Sequence, residues 1–286
     1  MSLSGYIPNS TISNLNQSTG DFIVPAKDFY FMECFELSEK IANKTSGIFD
    51  PTVLPLMELW GFLKDSEKLP SQHEIDSVKT FVGFTNQALF SVFNKDKGIL
   101  IQKNDPRLRF DFNAIAQGYS VDVLANYLKQ KGHKNFYVEI GGEIYVSGHN
   151  PDGKPWRLGV DKPVASNDGK TKRVISAVIN IENGGIATSG NYRKFYKKDG
   201  KIYAHTLNPT TGYPAENELL SVTVLAKNAA IADGMATAFM AMGLDKSKEY
   251  LRKNEDDKLE ALFIYRGEEN TIESFATKGM KGKMDE

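Results

Sequence analysis

The sequence lacks the features that define several classes of protein. It has one cysteine, Cys34, so it cannot form an intramolecular disulfide or a cysteine-based zinc or iron–sulfur site. Its 35 Lys and Arg are balanced by 36 Asp and Glu, and a net charge of −1 gives no electrostatic reason to expect nucleic-acid binding. Hydrophobic residues make up 41% of the 286 residues, which excludes disorder for the bulk of the chain.

Long apolar runs are also missing. The most apolar stretch, residues 229–244, is shorter than the roughly 20 residues that a membrane span needs, and it contains Asp233. The five residues before the polar segment that begins at Tyr6 do not have the pattern of a signal peptide. Because the chain opens within a segment rich in Ser, Asn and Thr, the sequence predicts that residues upstream of it have been removed.

Helical and strand patterns follow one another irregularly along the chain. Helices are predicted over residues 28–44, 72–81, 117–131 and 229–242. Ser71 and Glu74 form a capping-box pattern before the second helix, and Asn228 is a preferred N-cap for the fourth. Strands are predicted over residues 89–93, 99–102, 136–140, 144–146, 156–160, 174–181, 201–207, 220–226 and 259–265. Without a regular βαβ period, these elements predict an α+β fold with largely antiparallel sheets and flanking helices, in a single domain over residues 1–286.

Asp233 is the most unusual residue of the predicted helices. Its neighbours are almost all apolar, so its carboxylate is expected to be buried, at a cost of several kcal/mol if it is unpaired. No Lys or Arg stands one turn away from it. Thr237 lies one turn later on the same face, and two hard oxygen ligands on one face suit Mg²⁺. The alternative is an Asp–Thr hydrogen bond at the edge of a pocket.

Asp111 and His205 are further candidates for the site. Asp111 is predicted to end a strand before the helix that starts near Gln117, where it could bond either a ligand or the turn itself. His205 ends a predicted strand just before an Asn-Pro-Thr-Thr-Gly turn. That position suits a general base, although a lone histidine is more often structural. Gly141 and Gly142 would allow a ligand to approach the backbone closely.

Seven blocks of sequence, read in order, resemble those of the ApbE family, the FAD:protein FMN transferases. They include Gly-Ile-Phe-Asp-Pro-Thr-Val from Gly47, and Gly-Gly-Glu from Gly141. The blocks are residues 3–16, 45–62, 111–122, 139–144, 188–192, 205–214 and 232–238. The resemblance implies an ApbE-like, T-fold-like α+β domain.

The resemblance also implies a reaction and a set of site residues. Members of the family use Mg²⁺ and FAD, esterify FMN to a Thr or Ser hydroxyl of a target flavoprotein, and release AMP. By this resemblance Asp233 and Thr237 bind Mg²⁺ together with the backbone carbonyl of Ala114, and His205 is the base that activates the acceptor. The implied FAD contacts are Tyr6, Phe49, Asp50, Asp111, Gln117 and Leu207.

Two departures from the family pattern bear on these expectations. Gln117 stands where many members have Lys or another charged residue, so its contact with the nucleotide is expected to differ. The first strand and helix of the family, with any export signal or lipid-anchoring cysteine, are expected to be absent here. The full-length protein is expected to be exported, as a periplasmic protein or a membrane-anchored lipoprotein.

Two alternatives to the transferase stay open at this point. A Mg²⁺-dependent FAD pyrophosphatase would use water in place of the acceptor hydroxyl, and a flavin-binding protein would hold FAD without turnover. The sequence is compatible with a monomer or a homodimer.

Overall fold

The computed structural model describes residues 2–63, 69–95, 98–163, 174–191, 195–198 and 201–285. Tyr192, in one of the seven blocks, lies outside these ranges. The backbone contacts divide the chain into two units, Met1–Ala116 with Leu207–Pro214 and Gln117–Thr206 with Ala215–Glu286. No helix of the described ranges combines the length and the apolar character that a membrane crossing requires.

The described residues form helices and short strands in irregular order. The helices are α1 Thr11–Gln17, α2 Phe29–Lys44, α3 Leu54–Leu59, α4 Gln72–Lys79, α5 Ala116–Gln130, α6 Ala229–Met242, α7 Leu244–Lys253 and α8 Lys278–Lys281. The strands are β1 Asp21–Pro25, β2 Phe90–Lys95, β3 Gly98–Lys103, β4 Phe136–Ile140, β5 Glu143–Ser147, β6 Trp156–Asp161, β7 Ile175–Ile181, β8 Gly184–Gly190, β9 Phe195–Lys198, β10 Lys201–Ala204, β11 Leu207–Asn208, β12 Tyr213–Pro214, β13 Leu219–Ala226, β14 Glu260–Arg266 and β15 Ile272–Ala276.

The local capping patterns of the sequence are confirmed. Ser71 and Glu74 make both hydrogen bonds of a capping box at the start of α4. Asn228 Oδ1 accepts the Ile231 N–H at 3.0 Å and caps α6. Both signals depend on residues within one turn of the helix start, so they do not require knowledge of the tertiary structure.

The first unit has an aromatic core beside a small sheet. Strands β1, β3 and β2 pair antiparallel in that order. Phe31 and Phe35 of α2 pack against phenylalanines from β2 and from the segments before β2 and after β3, with neighbouring ring centroids 5.2 to 6.4 Å apart. The rings are Phe31, Phe35, Phe84, Phe90, Phe110 and Phe112.

The prediction of a strand that ends at Asp111 is wrong. Phe110 and Phe112 alternate with polar residues, but the partner of this segment is a side chain and not another strand. Asn16 Nδ2 donates to the Phe110 carbonyl at 2.8 Å, and Asn16 Oδ1 accepts the Phe110 N–H at 2.7 Å. The Asp111 N–H donates to the Pro51 carbonyl at 2.7 Å. The extended backbone is therefore satisfied without joining a sheet.

The single strand predicted over residues 201–207 is also wrong, because the chain bends at His205 between β10 and β11. Strand β11 pairs with β12 across the predicted Asn-Pro-Thr-Thr-Gly turn. Gly212 has φ +79° in this turn, a conformation that favours glycine, and its carbonyl accepts the Trp60 Nε1–H at 2.8 Å.

The second unit is built on a six-stranded antiparallel sheet in the order β15-β14-β13-β8-β5-β4. Helix α6 packs against β8 and β13. Strand β8 has the sequence Gly-Gly-Ile-Ala-Thr-Ser-Gly. Glycine and other small residues are uncommon in strands, so the sequence pattern did not predict a strand here. A Cβ atom on Gly185 would lie 2.1 Å from the Ala229 nitrogen, so this strand needs glycine for α6 to lie against it. The predicted α+β class with largely antiparallel sheets is confirmed, whereas the single domain over residues 1–286 stays a prediction.

Candidate active site

Asp233 lies in the second unit, in the second turn of α6, where its side chain is buried. Its Oδ2 accepts the backbone N–H of Gly118 at 3.1 Å. Gly118 belongs to the first turn of α5, whose N–H groups have no partner within the helix. The carboxylate of Asp233 therefore meets the positive end of the α5 dipole.

Asp122 makes the reciprocal interaction from α5 to α6. Its Oδ1 and Oδ2 accept the N–H groups of Ala229 and Ala230, each at 2.8 Å. These are the first two residues of α6. Each helix thus satisfies N-terminal N–H groups of the other with a carboxylate, and the exchange aligns the two helices with each other.

Thr237 follows Asp233 by one turn on α6 and is half-buried. Its hydroxyl lies 3.1 Å from the hydroxyl of Ser189 on β8. Asp233 and Thr237 are therefore brought to one face of α6, as the sequence predicts, and the Thr237 oxygen retains lone pairs for a further partner.

Glu143 is a buried residue that the sequence-based site does not include. It opens β5 directly after the turn at Gly141 and Gly142, whose φ values are +70° and +112°. Glu143 and Tyr145 are two residues apart on β5, so their side chains share one face of the sheet. Tyr145 belongs to the same buried hydrophobic cluster as Ala229, the first residue of α6. Oε2 of Glu143 is buried and has no hydrogen-bond partner among the described residues.

Burial raises the proton affinity of all three buried carboxyl groups. Burial raises the pKa of Asp233 to about 8, helped by the charges of Glu143 and Asp122 and opposed by the Gly118 N–H. Burial also raises the pKa of Asp122 to about 6, although the hydrogen bonds from the Ala229 and Ala230 N–H groups lower it. The pKa of Glu143 is raised by burial and by the charge of Glu139. The cluster thus favours either bound protons or a bound cation.

The donor chemistry of this cluster fits Mg²⁺. The described part of the chain contains no group of three or more His, Cys, Asp or Glu side chains arranged to hold a metal ion. Asp233 and Thr237 nevertheless offer one carboxylate and one hydroxyl oxygen, and Mg²⁺ commonly takes few protein ligands and keeps several waters. The predicted ligands could therefore hold this ion with oxygen atoms from substrate and water.

Gln117 lies beside the glycine turn of the β4–β5 hairpin. Its side chain is exposed at the start of α5. A Cβ atom on Gly141 would lie 2.5 Å from Gln117 Nε2 and 3.2 Å from Glu143 Oε2. Glycine at this position therefore allows the Gln117 amide to approach the turn next to Glu143.

His205 is half-buried at the bend after β10. Its neighbour Thr206 donates its hydroxyl to Asn191 Oδ1 at 2.8 Å, and the Thr206 carbonyl accepts the Ala215 N–H at 2.8 Å. These two bonds hold the backbone next to His205 against the end of β8 and the start of the segment before β13.

Asp50 lies in the first unit and is held by its own surroundings. Its carboxylate accepts the N–H and the hydroxyl of Thr52 at 2.7 and 2.6 Å, and the Phe84 N–H at 3.2 Å. Burial raises the pKa of Asp50, although these three bonds oppose the rise. Asp50 therefore organises the Phe-Asp-Pro-Thr turn.

Asp111 lies in the same unit as Asp50 and is half-buried. It accepts the N–H of Asn113 at 2.9 Å and the Asn113 side-chain amide at 3.2 Å. Burial raises the pKa of Asp111 in spite of these bonds. Asp111 therefore bonds its own turn in the structure, as one of the two alternatives predicted. Its contact with FAD stays a prediction.

The other predicted contacts of the first unit differ in exposure. Tyr6 is 76% exposed, whereas Phe49 and Leu207 are buried and Ala114 is half-buried in the turn before α5. The structure thus brings Asp233 and Thr237 together, and it places Tyr6, Phe49, Asp50, Asp111, Ala114 and Leu207 in the other unit. The sequence-based site did not include Glu143, Asp122 and Gly118, although all three lie within the seven blocks that resemble the family.

Gly118→Ala is expected to destabilise the protein by about 1–3 kcal/mol, the usual cost of overpacking a core. The added Cβ would lie 2.4 Å from the Ala229 carbonyl oxygen and 2.9 Å from Asp233 Cβ, so α6 would have to shift. Urea unfolding measures the effect. Gly20→Ala is the control because a Cβ there meets no atom within 4 Å; equal effects of the two substitutions would contradict the prediction.

The metal-free protein is expected to lose stability as the pH rises from about 4 to about 8. An unfolded Asp ionises near pH 3.9, whereas burial raises the pKa of Asp233 in the folded protein to about 8. Between these values the folded state retains a proton that the unfolded chain has lost, so raising the pH favours unfolding. Urea unfolding in EDTA across this range measures the slope. Asp233→Asn should make the dependence of stability on pH shallower. An unchanged slope would show that Asp233 is not its source.

Comparisons with known proteins agree on one family. The chain matches the model of the ApbE family over residues 1–263. It is similar to the FAD:protein FMN transferase of Haemophilus influenzae, with 36% identity over 254 residues, or 88% of this chain and 71% of the relative. The FAD:protein FMN transferase of Escherichia coli K12 is 35% identical over 253 residues, covering 88% of this chain and 70% of that protein.

Solved structures with a similar fold carry related descriptions. The flavin transferase ApbE from Vibrio cholerae has a TM-score of 0.82 and 32% identity, covering 99% of this chain and 85% of its own. The ApbE protein of Thermotoga maritima has a TM-score of 0.82 and 28% identity, covering 100% of this chain and 87% of its own.

Proposed function

Because this chain belongs to the ApbE family, we propose that it is an FAD:protein FMN transferase. It transfers FMN from FAD to a Thr or Ser hydroxyl of a target flavoprotein and releases AMP. The observation that carries the proposal is the similarity, over most of the chain, to relatives that bear this name. The choice of Thr or Ser as acceptor is supported by the resemblance of the sequence blocks.

The reaction exchanges the phosphoanhydride bond of FAD for a phosphate ester bond on the acceptor. The acceptor oxygen forms a bond to the phosphorus of the FMN half of FAD, and the bond from this phosphorus to the bridging oxygen breaks. AMP leaves with the bridging oxygen, and the proton of the acceptor hydroxyl passes to a base. We assign this role to His205, because its imidazole is half-exposed on a backbone held by Thr206 and Asn191.

Phosphoryl transfer depends more on positioning and charge neutralisation than on covalent chemistry by the protein. Asp233 and Thr237 are the proposed ligands of Mg²⁺, because their oxygens lie one turn apart and Asp233 is buried beside other carboxylates. Bound Mg²⁺ would neutralise negative charge on the pyrophosphate. The Ala114 carbonyl, as a further ligand, is supported by the resemblance.

Recognition of FAD is proposed for the six residues that the resemblance implies, Tyr6, Phe49, Asp50, Asp111, Gln117 and Leu207. Tyr6 and Gln117 have exposed side chains, and Asp111 has an oxygen at a turn. Export to the periplasm, or attachment to a membrane through a lipid anchor, is proposed from the resemblance alone.

Incubation with FAD, Mg²⁺ and a candidate acceptor domain tests the function. Mass spectrometry is expected to show the acceptor heavier by FMN less one water, with one AMP released per FMN transferred. An acceptor whose Thr or Ser is replaced by Val is the control and should stay unmodified. Free FMN and AMP without modification would instead indicate a pyrophosphatase, and unchanged FAD would indicate a flavin-binding protein.

A further inference from the structure

Glu143 has a carboxylate oxygen that the described chain leaves unsatisfied. The residue is 7% exposed, and Oε2 has no hydrogen-bond partner among the described residues. A buried polar atom without a partner costs free energy, and a buried charge without one costs more. An arrangement of this kind persists where a group absent from the polypeptide completes it.

Among the described residues, the charged groups that act on Glu143 and on its neighbour Asp233 are negative, so they cannot satisfy the free oxygen of Glu143. Glu139 acts on Glu143 as a negative charge, and Glu143 and Asp122 both act on Asp233 as negative charges. Lys129 is the cation that acts on Asp122. Its ammonium group donates to the Tyr145 hydroxyl at 2.7 Å and lies 4.3 Å from the centre of the Tyr145 ring.

The placement of Glu143 connects it to α6. Its side chain shares a face of β5 with Tyr145, which belongs to the same buried hydrophobic cluster as Ala229 in the first turn of α6. Asp233 lies on the next turn of that helix and is close enough to interact electrostatically with Glu143. The unsatisfied oxygen therefore belongs to the same cluster as the Asp233 carboxylate.

We propose that Glu143 is a second carboxylate of the cation site formed by Asp233 and Thr237, and that its free oxygen binds the divalent cation directly or through one bound water. The inference rests on the proposed metal site and adds a residue to it. Two carboxylates around one divalent ion balance its charge, and this removes the repulsion that the metal-free cluster suffers.

Glu143→Gln separates a cation-binding role from a structural one. The amide has the shape of a protonated glutamic acid, so a neutral structural Glu143 would tolerate the change. Binding of Mn²⁺ alone, without FAD, is measured by the loss of the free-ion signal in electron paramagnetic resonance. We expect Glu143→Gln to weaken Mn²⁺ binding by about 10–100-fold, as substitutions around metal sites commonly do. The metal-free variant should also melt at a higher temperature than the parent.

Glu139→Gln is the matched control, since Glu139 is an exposed glutamate on the neighbouring strand that carries the same charge. It should leave Mn²⁺ affinity within about twofold, the change expected for a screened surface charge. A folded Glu143→Gln variant with the affinity of the parent would overturn the proposal.

Two further variants keep the test decisive. If Glu143→Gln does not fold, Glu143→Asp retains the charge on a shorter side chain and is expected to bind Mn²⁺ more weakly than the parent. Parental affinity in Glu143→Asp would then overturn the proposal. Asp233→Asn tests the underlying metal site. Parental Mn²⁺ binding in that variant contradicts the metal site that the proposed function includes, whereas weak binding there with normal binding in Glu143→Gln contradicts the role of Glu143 alone.

Discussion

Asp233→Asn is expected to lower Mg²⁺-dependent FMN transfer by about 10²–10³-fold or more, the usual loss when a group that stabilises transition-state charge is removed. The amide cannot supply the charge that holds a divalent cation, and the pyrophosphate charge would then be left without its counterion. Initial rates of AMP release and of acceptor labelling, at saturating FAD and varied Mg²⁺, measure the effect.

The same variant is expected to stay folded. Removing a buried carboxylate that has carboxylates as neighbours costs little stability in the absence of metal, and it can increase the free energy of unfolding. The amide oxygen can still accept the Gly118 N–H, which lies 3.1 Å from Oδ2 in the parent. Asp152→Asn, at an exposed loop position, is the control for loss of one negative charge. Full activity in Asp233→Asn, or an unfolded variant, would remove Asp233 from the metal site.

His205→Asn is expected to lower FMN transfer by about 10²–10⁴-fold, the usual contribution of general acid–base catalysis. Affinity for FAD should change little, because the proposed contacts with the nucleotide and the metal are made by other residues. The pH dependence of the transfer rate should also lose the limb that deprotonation of the general base produces. Transfer rates measured as a function of pH and calorimetric titration with FAD separate these effects.

His149→Asn provides the control for His205→Asn. His149 is an exposed histidine of the same unit, with Nε2 3.5 Å from a carboxylate oxygen of Glu182. This variant should retain the rate and the pH profile of the parent. If His205→Asn transferred FMN normally but bound FAD weakly, the role of His205 would be a ligand contact; a low melting temperature would make it a structural residue that holds the bend.

Much of the secondary structure could be predicted because its signals are local. The capping box at Ser71 and the N-cap at Asn228 each involve a side chain and N–H groups within one turn, so the sequence carries the whole interaction. The apolar run of α6 predicted a buried helix of the same bounds as the observed Ala229–Met242.

The elements that sequence patterns missed depend on distant partners. Strand β8 is rich in glycine and small residues because α6 lies against it, and no local pattern records the presence of that helix. The segment around Phe110 alternates like a strand, but the Asn16 side chain takes the place of a neighbouring strand. In both cases the deciding contact joins residues far apart in the sequence, 94 residues apart for Asn16 and Phe110.

The sequence by itself determined that an aspartate would be buried in an apolar helix, one turn before a threonine, because composition and helical period are properties of the local chain. It did not determine what surrounds that aspartate. The tertiary structure brought the free N–H of Gly118 to Asp233 and set Glu143 beside it with an unsatisfied oxygen. These neighbours come from α5 and β5, more than 80 residues away along the chain. The packing of these elements determines the neighbours of Asp233, because burial and the pairing of charges depend on which elements are in contact and not on the order of residues within one element.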